Sequence, residues 1–247
     1  MTLQRLGRNS VQLVRAQIKR RALGTFKHVT TQLRRRPPCE LAAREVCTAF
    51  KNGELDAWET AGLLGSIRHE AGYETVCEMF SLGCGDATAL MSINQARAER
   101  DLCRLIIEAV TLGARDEAAR GLVQLGSPAA RAGVLGASVA GLVTPLVSAR
   151  ALVSWGIAPK TVASWFASDK RCEAELGCVV VAVGVRRPAT GPSSCPWTEE
   201  ERRLLLGLAQ QAVVQGQADP KPYVRTALRR PTRWTMVERL CADWCYA

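Results

Sequence analysis

From Glu40 to about Lys170 the chain is a nearly unbroken series of helix-forming residues, with apolar positions every three or four residues and glycine at intervals. Aromatic residues and β-branched runs are scarce in that stretch. A 3.6-residue apolar period that stops at glycine and restarts after a polar cap buries its stripe by packing helix on helix. The predicted fold class is therefore all-α: stacked helical hairpins, either α-solenoid-like or an irregular helical bundle, plus a small C-terminal helical unit.

The punctuation is specific. In ELAAREVCTAF, Leu41, Val46 and Phe50 fall on neighbouring faces, and Asn52-Gly53 closes the helix. DAWETAGLLGSIRHEAG opens on Asp56 with Glu59 three residues later, the spacing of a capping box, and is expected to end at Gly72 before YETVCEMFSLG returns. The same grammar recurs in RDLCRLIIEAVTLGARDEAARGLVQLGSP, where one helix should stop at Gly113 and a second run from about Arg115 to Gly126. PLVSARALVSWGIAPKTVASWFASD repeats it with a turn at Gly156. Gly72, Gly113 and Gly156 stand 41 and 43 residues apart, and hairpins repeating at such a period gain a core by stacking on their neighbours.

LIIEAVTLGARDEAARGLVQLGSP resembles a pentatricopeptide motif: an apolar run before glycine, a short link, an acidic-alanine helix start and a later Gly-x-Pro. LLGSIRHEAGYETVCEMFSLG is a looser copy, and the two cover less than a third of the chain. The resemblance implies an organelle RNA factor or a mitochondrial ribosome accessory protein. The longer period departs from that family, so no base-reading positions are carried over.

Charge is concentrated at the start. Residues 1–39 hold ten Lys or Arg and no acid, whereas the rest of the chain balances 23 basic residues with 23 acidic ones. Any electrostatic attraction to a polyanion is thus expected from the opening segment. On a helical projection Leu3, Leu6, Leu13, Val14 and Ile18 line one side, with Arg5, Arg8, Arg15 and Lys19 opposite. An Arg-rich, acid-free amphipathic helix matches the physical description of a mitochondrial presequence. Arg34, Arg35 and Arg36 precede Pro37-Pro38, which ends the segment in an extended hinge. Residues 1–39 are read as a presequence or an RNA-binding arm. The candidate RNA contacts are Arg15, Lys19, Arg20, Arg21, Arg34, Arg35 and Arg36, since the guanidinium fork bonds phosphate oxygens in pairs.

The ten cysteines show no paired framework, and no secretory signal precedes them, so they read as free thiols in a reducing compartment. Cys241 and Cys245 at i and i+4 could give two metal ligands, but no second pair lies nearby. The uncharged core from Ala132 to Ala149 just reaches membrane-spanning length, yet Gly, Ala, Ser, Thr and Pro145 dilute it; a buried helix pair is the preferred reading. CVVVAVGV (178–185) reads equally as a strand or as the end of a buried helix. RRPATGPSSCP (186–196) is the linker between a 40–185 helical-hairpin domain and a 197–247 unit. That unit starts PWTEEERRLLLGLAQQAVVQG, with Thr198 and Glu201 as a capping box. Trp197 with Glu200, Leu204 and Leu205, then Trp234 with Val237 and Leu240, resemble the first two helices of a Myb or SANT module, with wider tryptophan spacing and little room for a third helix.

Chemistry is sparse. Cys84 in LGCGDA, with His69 upstream, is the best nucleophile candidate, but Gly83, Gly85 and Asp86 account for that stretch as a helix end and a new cap. GxxxxGK[ST], GxGxxG, HExxH and GxSxG do not occur. The expectation is no catalytic residue, no cofactor, no metal and no small-molecule substrate. The expected role is a non-catalytic structural subunit of a mitochondrial matrix ribonucleoprotein, ribosome-associated or RNA-processing, with protein partners and RNA. The alternative is an accessory subunit of a respiratory or ATP-synthase membrane complex, contacting membrane or partner helices through 132–149.

Overall fold

A computed structural model describes residues 3–20, 23–185 and 197–219, with side chains in 9–19, 26–185 and 197–219. The linker at 186–196, Arg21, the Arg20 side chain, the Trp234 segment and the Cys241/Cys245 pair lie outside these described parts. Among the described residues there are thirteen α-helices, one 3-10 turn and no strand, so the fold is all-α. The chain divides into two compact units, Met1–Ala130 and Arg131–Ala247. Neither the Pro37-Pro38 break nor the 186–196 stretch marks that division in the sequence.

The first unit contains α1 (Leu3–Arg20), α2 (Leu23–Arg34), α3 (Glu40–Lys51), α4 (Ala57–Ile67), the 3-10 turn Glu70–Gly72, α5 (Tyr73–Ser81), α6 (Ala87–Ile93), α7 (Gln95–Glu108) and α8 (Leu112–Leu125). Alternate helices pack on one another: α1 on α3, α2 on α4, α4 on α6, and α6 on α8. This is the contact order of a stack built two helices at a time. Val14, Leu33, Val46, Leu63, Met79, Phe80, Leu102 and Leu122 fill its interior. Small residues let the helices close: a Cβ on Gly121 would stand 2.5 Å from the Ala87 methyl, and one on Gly65 3.0 Å from the Ala89 backbone.

Caps set the boundaries. Asp56 and Glu59 form the capping box expected for α4, and Asp86, Asn94 and Thr111 each accept the N3 amide of the helix they open. Gly53 after α3 and Gly126 after α8 take positive φ, as helix-ending glycines do. Two boundaries differ from the sequence expectation. α4 ends at Ile67 with Arg68 in the left-handed region (φ 57°), and Gly72 belongs to the 3-10 turn. Gly113 lies in the first turn of α8, because the Thr111 hydroxyl caps that helix and α7 has already stopped at Glu108.

α9 (Pro128–Val139) carries the chain across the boundary, and α10 (Pro145–Ser154), α11 (Pro159–Phe166), α12 (Arg171–Val185) and α13 (Glu199–Val214) follow. Residues 132–149 are thus parts of two helices parted at Gly141 (φ +69°), and 178–185 is the buried second half of α12. α12 packs against α10, α11 and α13. Gly177 admits the Phe166 ring and Gly184 admits the Trp197 indole, which is buried and donates its N–H to the Ile157 carbonyl at 2.9 Å. Thr198 and Glu201 form the expected capping box on α13. No helix among the described residues is long and apolar enough to cross a membrane.

Candidate nucleic-acid interface

α1 and α2 place opposite chemistries on opposite sides. On α1, Ser10, Val14 and Gln17 point inward and are buried, while Gln12, Arg15 and Lys19 are exposed. On α2, Phe26, Val29, Thr30 and Leu33 are buried, while Lys27, His28, Thr31 and Arg34 are exposed, as is Arg35 in the turn that follows. The i, i+3, i+4, i+7 spacing of 26, 29, 30 and 33 is that of a core-facing helix. The described parts of the opening segment therefore belong to the fold, with Arg15, Lys19, Lys27, Arg34 and Arg35 in solvent.

The end of α2 is held from outside. Arg68 Nη2 donates to the carbonyls of Arg34 and Arg36, each at 2.9 Å. The Arg34 carbonyl is an orphan acceptor at the C-terminus of α2, where the macrodipole also favours a cation, and the Arg36 carbonyl lies just beyond it. The hold brings a fourth guanidinium beside Arg34, Arg35 and Arg36. Arg36 itself is half-buried, with Nη1 shielded from solvent and without a hydrogen bond, so the outward charge there comes chiefly from Arg34 and Arg35. Arg15 gives part of its charge to Glu45 on α3 through a 2.6 Å ion pair. That hydrogen bond holds the Glu45 carboxyl below its usual range and raises the Arg15 guanidinium; in so exposed a pair, water screens most of the attraction.

Phe26 and Trp58 join the basic helix to α4. Their ring centroids are 4.7 Å apart, tilted by 33°. A Cβ on Gly62, one turn along α4, would stand 2.7 Å from the Phe26 ring. With Phe26 at residues 58–62 and Arg34 at Arg68, α2 and α4 run parallel. Trp58 keeps its outer side in solvent, 62% exposed.

Beneath this cationic pair, residues 40–130 carry fourteen Asp or Glu against eight Lys or Arg. Much of that charge is satisfied locally. Arg97 on α7 pairs with Glu70 (2.8 Å), Glu74 and Asp101 (3.4 Å), and lies 4.1 Å over the Tyr73 ring. Hydrogen bonds to Glu70 and Glu74 raise the Arg97 guanidinium, and burial with the nearby Asp101 carboxylate pushes the Tyr73 phenol up; its buried hydroxyl makes no hydrogen bond of good geometry. The cluster ties α5 and the 3-10 turn to α7.

Of the seven candidate RNA contacts, the structure places Arg15 and Lys19 on the outer side of α1, Arg34 on that of α2 and Arg35 in the exposed turn after it. It turns Arg36 partly inward. Lys27 and Trp58 were not among the candidates. Lys27 lies one helical face period before Arg34, a spacing present in the sequence, whereas Trp58 comes to α2 only through tertiary packing.

Elsewhere the chemistry is thin. Cys84 is exposed, and His69 accepts the Ala71 N–H at its Nδ1, which employs its ring as a cap. Among the described residues no three His, Cys, Asp or Glu side chains gather where a metal could sit. A shallow cleft between α11 and α13 has Phe166, Leu208 and Ala212 in its lining, with Gln211, Gln215 and Gln217 beside them. The chain matches no family model, no curated protein and no solved structure.

Proposed function

We propose that the chain is a non-catalytic subunit of a mitochondrial ribonucleoprotein. It lays the exposed side of the α1–α2 pair along RNA phosphates and docks on protein partners with its helical body. One observation carries the reading: Val14, Phe26, Val29 and Leu33 belong to the core while Arg15, Lys19, Lys27, Arg34 and Arg35 stay in solvent. Removing residues 1–38 after import would take those core side chains away. The reading therefore has the segment retained, with a presequence-like helix kept as structure.

Exposed cations on a segment that contains no acid of its own suit a phosphate backbone, whose binding releases counterions; Arg15, already paired with Glu45, contributes less. With Lys27, Arg34 and Arg35 each on a phosphate, log affinity for single-stranded RNA should fall with log salt by about 0.7 per contact. Replacing Arg34 and Arg35 by Gln should reduce that slope by about 1.4 and weaken binding on every sequence tested. Sedimentation of mitochondrial extract with and without RNase checks the assembly: the protein should leave large particles after RNase. An unchanged salt slope in the double variant, or RNase-insensitive sedimentation with detergent-extracted membrane complexes, would refute the reading.

A further inference from the structure

The exposed cations say nothing about whether the nucleic acid is paired. Trp58 does. Trp58 leaves 62% of its surface in water while its inner side is backed by another ring, so an aromatic face is on offer at the surface. Its inner side meets Phe26, and Phe26 is seated in the notch at Gly62, where no Cβ intervenes. The ring is thus an apolar plate backed by Phe26, the residue that precedes Lys27 on α2. Arg34 lies about 10 Å further along the same helix axis, and Arg35 follows it in the turn.

The carboxylates closest in sequence are already engaged. Asp56 Oδ1 accepts the Glu59 amide at 2.7 Å, and Glu59 reaches back to the Asp56 amide, so both charges sit at the N-terminus of α4, where the helix dipole offsets them. Glu54 accepts from the Asn52 side chain at 3.2 Å.

A flat aromatic next to a track of cations is the arrangement that holds unpaired bases: phosphates follow the charges and a base stacks on the ring. A base inside a duplex has no free face for such contact. We propose that Trp58 is a stacking platform for an unpaired base, making single-stranded RNA the ligand of the α2–α4 face; this rests on the nucleic-acid reading above.

The test uses the full chain and two labelled probes, an oligouridylate of about twelve residues and an RNA duplex of the same length, followed by fluorescence anisotropy at fixed salt. Wild type should prefer the single strand. Trp58→Ala should weaken single-strand binding by about tenfold or more and leave duplex binding unchanged. Trp58→Phe should retain most of the affinity, while Trp58→Leu, which still covers Phe26, should not. Melting curves identify any variant whose loss comes from unfolding, and the Phe and Leu pair then decides. Equal single-strand affinity in wild type and Trp58→Leu overturns the platform while leaving the phosphate contacts standing, as does equal affinity for duplex and single strand. Loss of RNase-insensitive partner binding in Trp58→Ala, with RNA affinity intact, overturns it in favour of a protein surface. If wild type binds neither probe, the underlying nucleic-acid reading fails as well.

Discussion

The Arg68 guanidinium holds the backbone of Arg34: its Nη2 donates to that carbonyl and to the carbonyl of Arg36, both at 2.9 Å, across 34 and 32 residues of chain. Arg68 does so from a left-handed backbone conformation, the one positive φ outside glycine among the described residues. The C-cap residue of α4 thus ties that helix to the cationic triplet.

This relationship can be isolated, because glycine accepts that backbone without strain. Arg68→Gly should keep α4 capped while releasing the end of α2. Limited trypsin digestion should then cut after Arg34 or Arg35 several times faster than in wild type. Digestion at an unchanged rate would mean that the two bonds do not restrain the segment.

The packing of α2 on α4 gives a second expectation. Phe26 is buried over Gly62, so Phe26→Ala should cost about 3–5 kcal/mol of the first unit's stability. Gly62→Ala should cost about 1–3 kcal/mol by overpacking against the ring. The two should be strongly coupled, with Gly62→Ala nearly harmless once Phe26 is Ala. Denaturant melts of the four chains form the cycle, and simple additivity would mean that the rings and the notch are not in contact. Deleting residues 1–38 should destabilise the unit more than either change.

What could be read from the sequence was local. The capping boxes at Asp56–Glu59 and Thr198–Glu201 and the helix ends at Gly53, Gly126 and Gly156 are short-range features in which a side chain or a missing Cβ decides the backbone. The all-α class followed from the same periodicity. Gly113 misled because Val110-Thr111 continues an apolar pattern, although the Thr111 hydroxyl works better as a cap than inside a helix. The opening segment was the larger gap. Its charge marks it as leader or arm, and only the spacing of Phe26, Val29 and Leu33 hints that it is also core. Trp58 and Arg68 could not be assigned at all, since their partners lie more than thirty residues away and local pattern carries no sign of such contacts.

Two neighbours on α7 separate burial from helix propensity. Leu105 is 5% exposed and Ile107 is 59% exposed. Leu105→Asp places a carboxylate where nothing pairs with it and should cost several kcal/mol, enough to unfold the first unit. Ile107→Asp should stay within about 0.5 kcal/mol of wild type. Equal melting temperatures for the two variants would show that the inner face of α7 is misplaced.

Two buried thiols report on the two units separately. Burial pushes Cys77 in the first unit up to about 11 and Cys178 in the second up to about 12, from an ordinary 9.0. A thiol ionises more easily in the unfolded chain when its folded value is raised. The contribution of each to stability is therefore complete below about pH 9 and is lost as pH rises toward 11 at Cys77 and 12 at Cys178. Tyr73, raised by burial beside Asp101, adds to the same alkaline loss in the first unit. Near pH 8, iodoacetamide should label exposed Cys84 at once, and Cys77 and Cys178 only through opening of their units. Peptide mapping over time gives an opening rate for each, and raising the pH above 9 should speed both. Labelling of Cys77 as fast as Cys84 would contradict the packing of α5, and a fixed ratio of the Cys77 and Cys178 rates across denaturant would mean that the two units open as one.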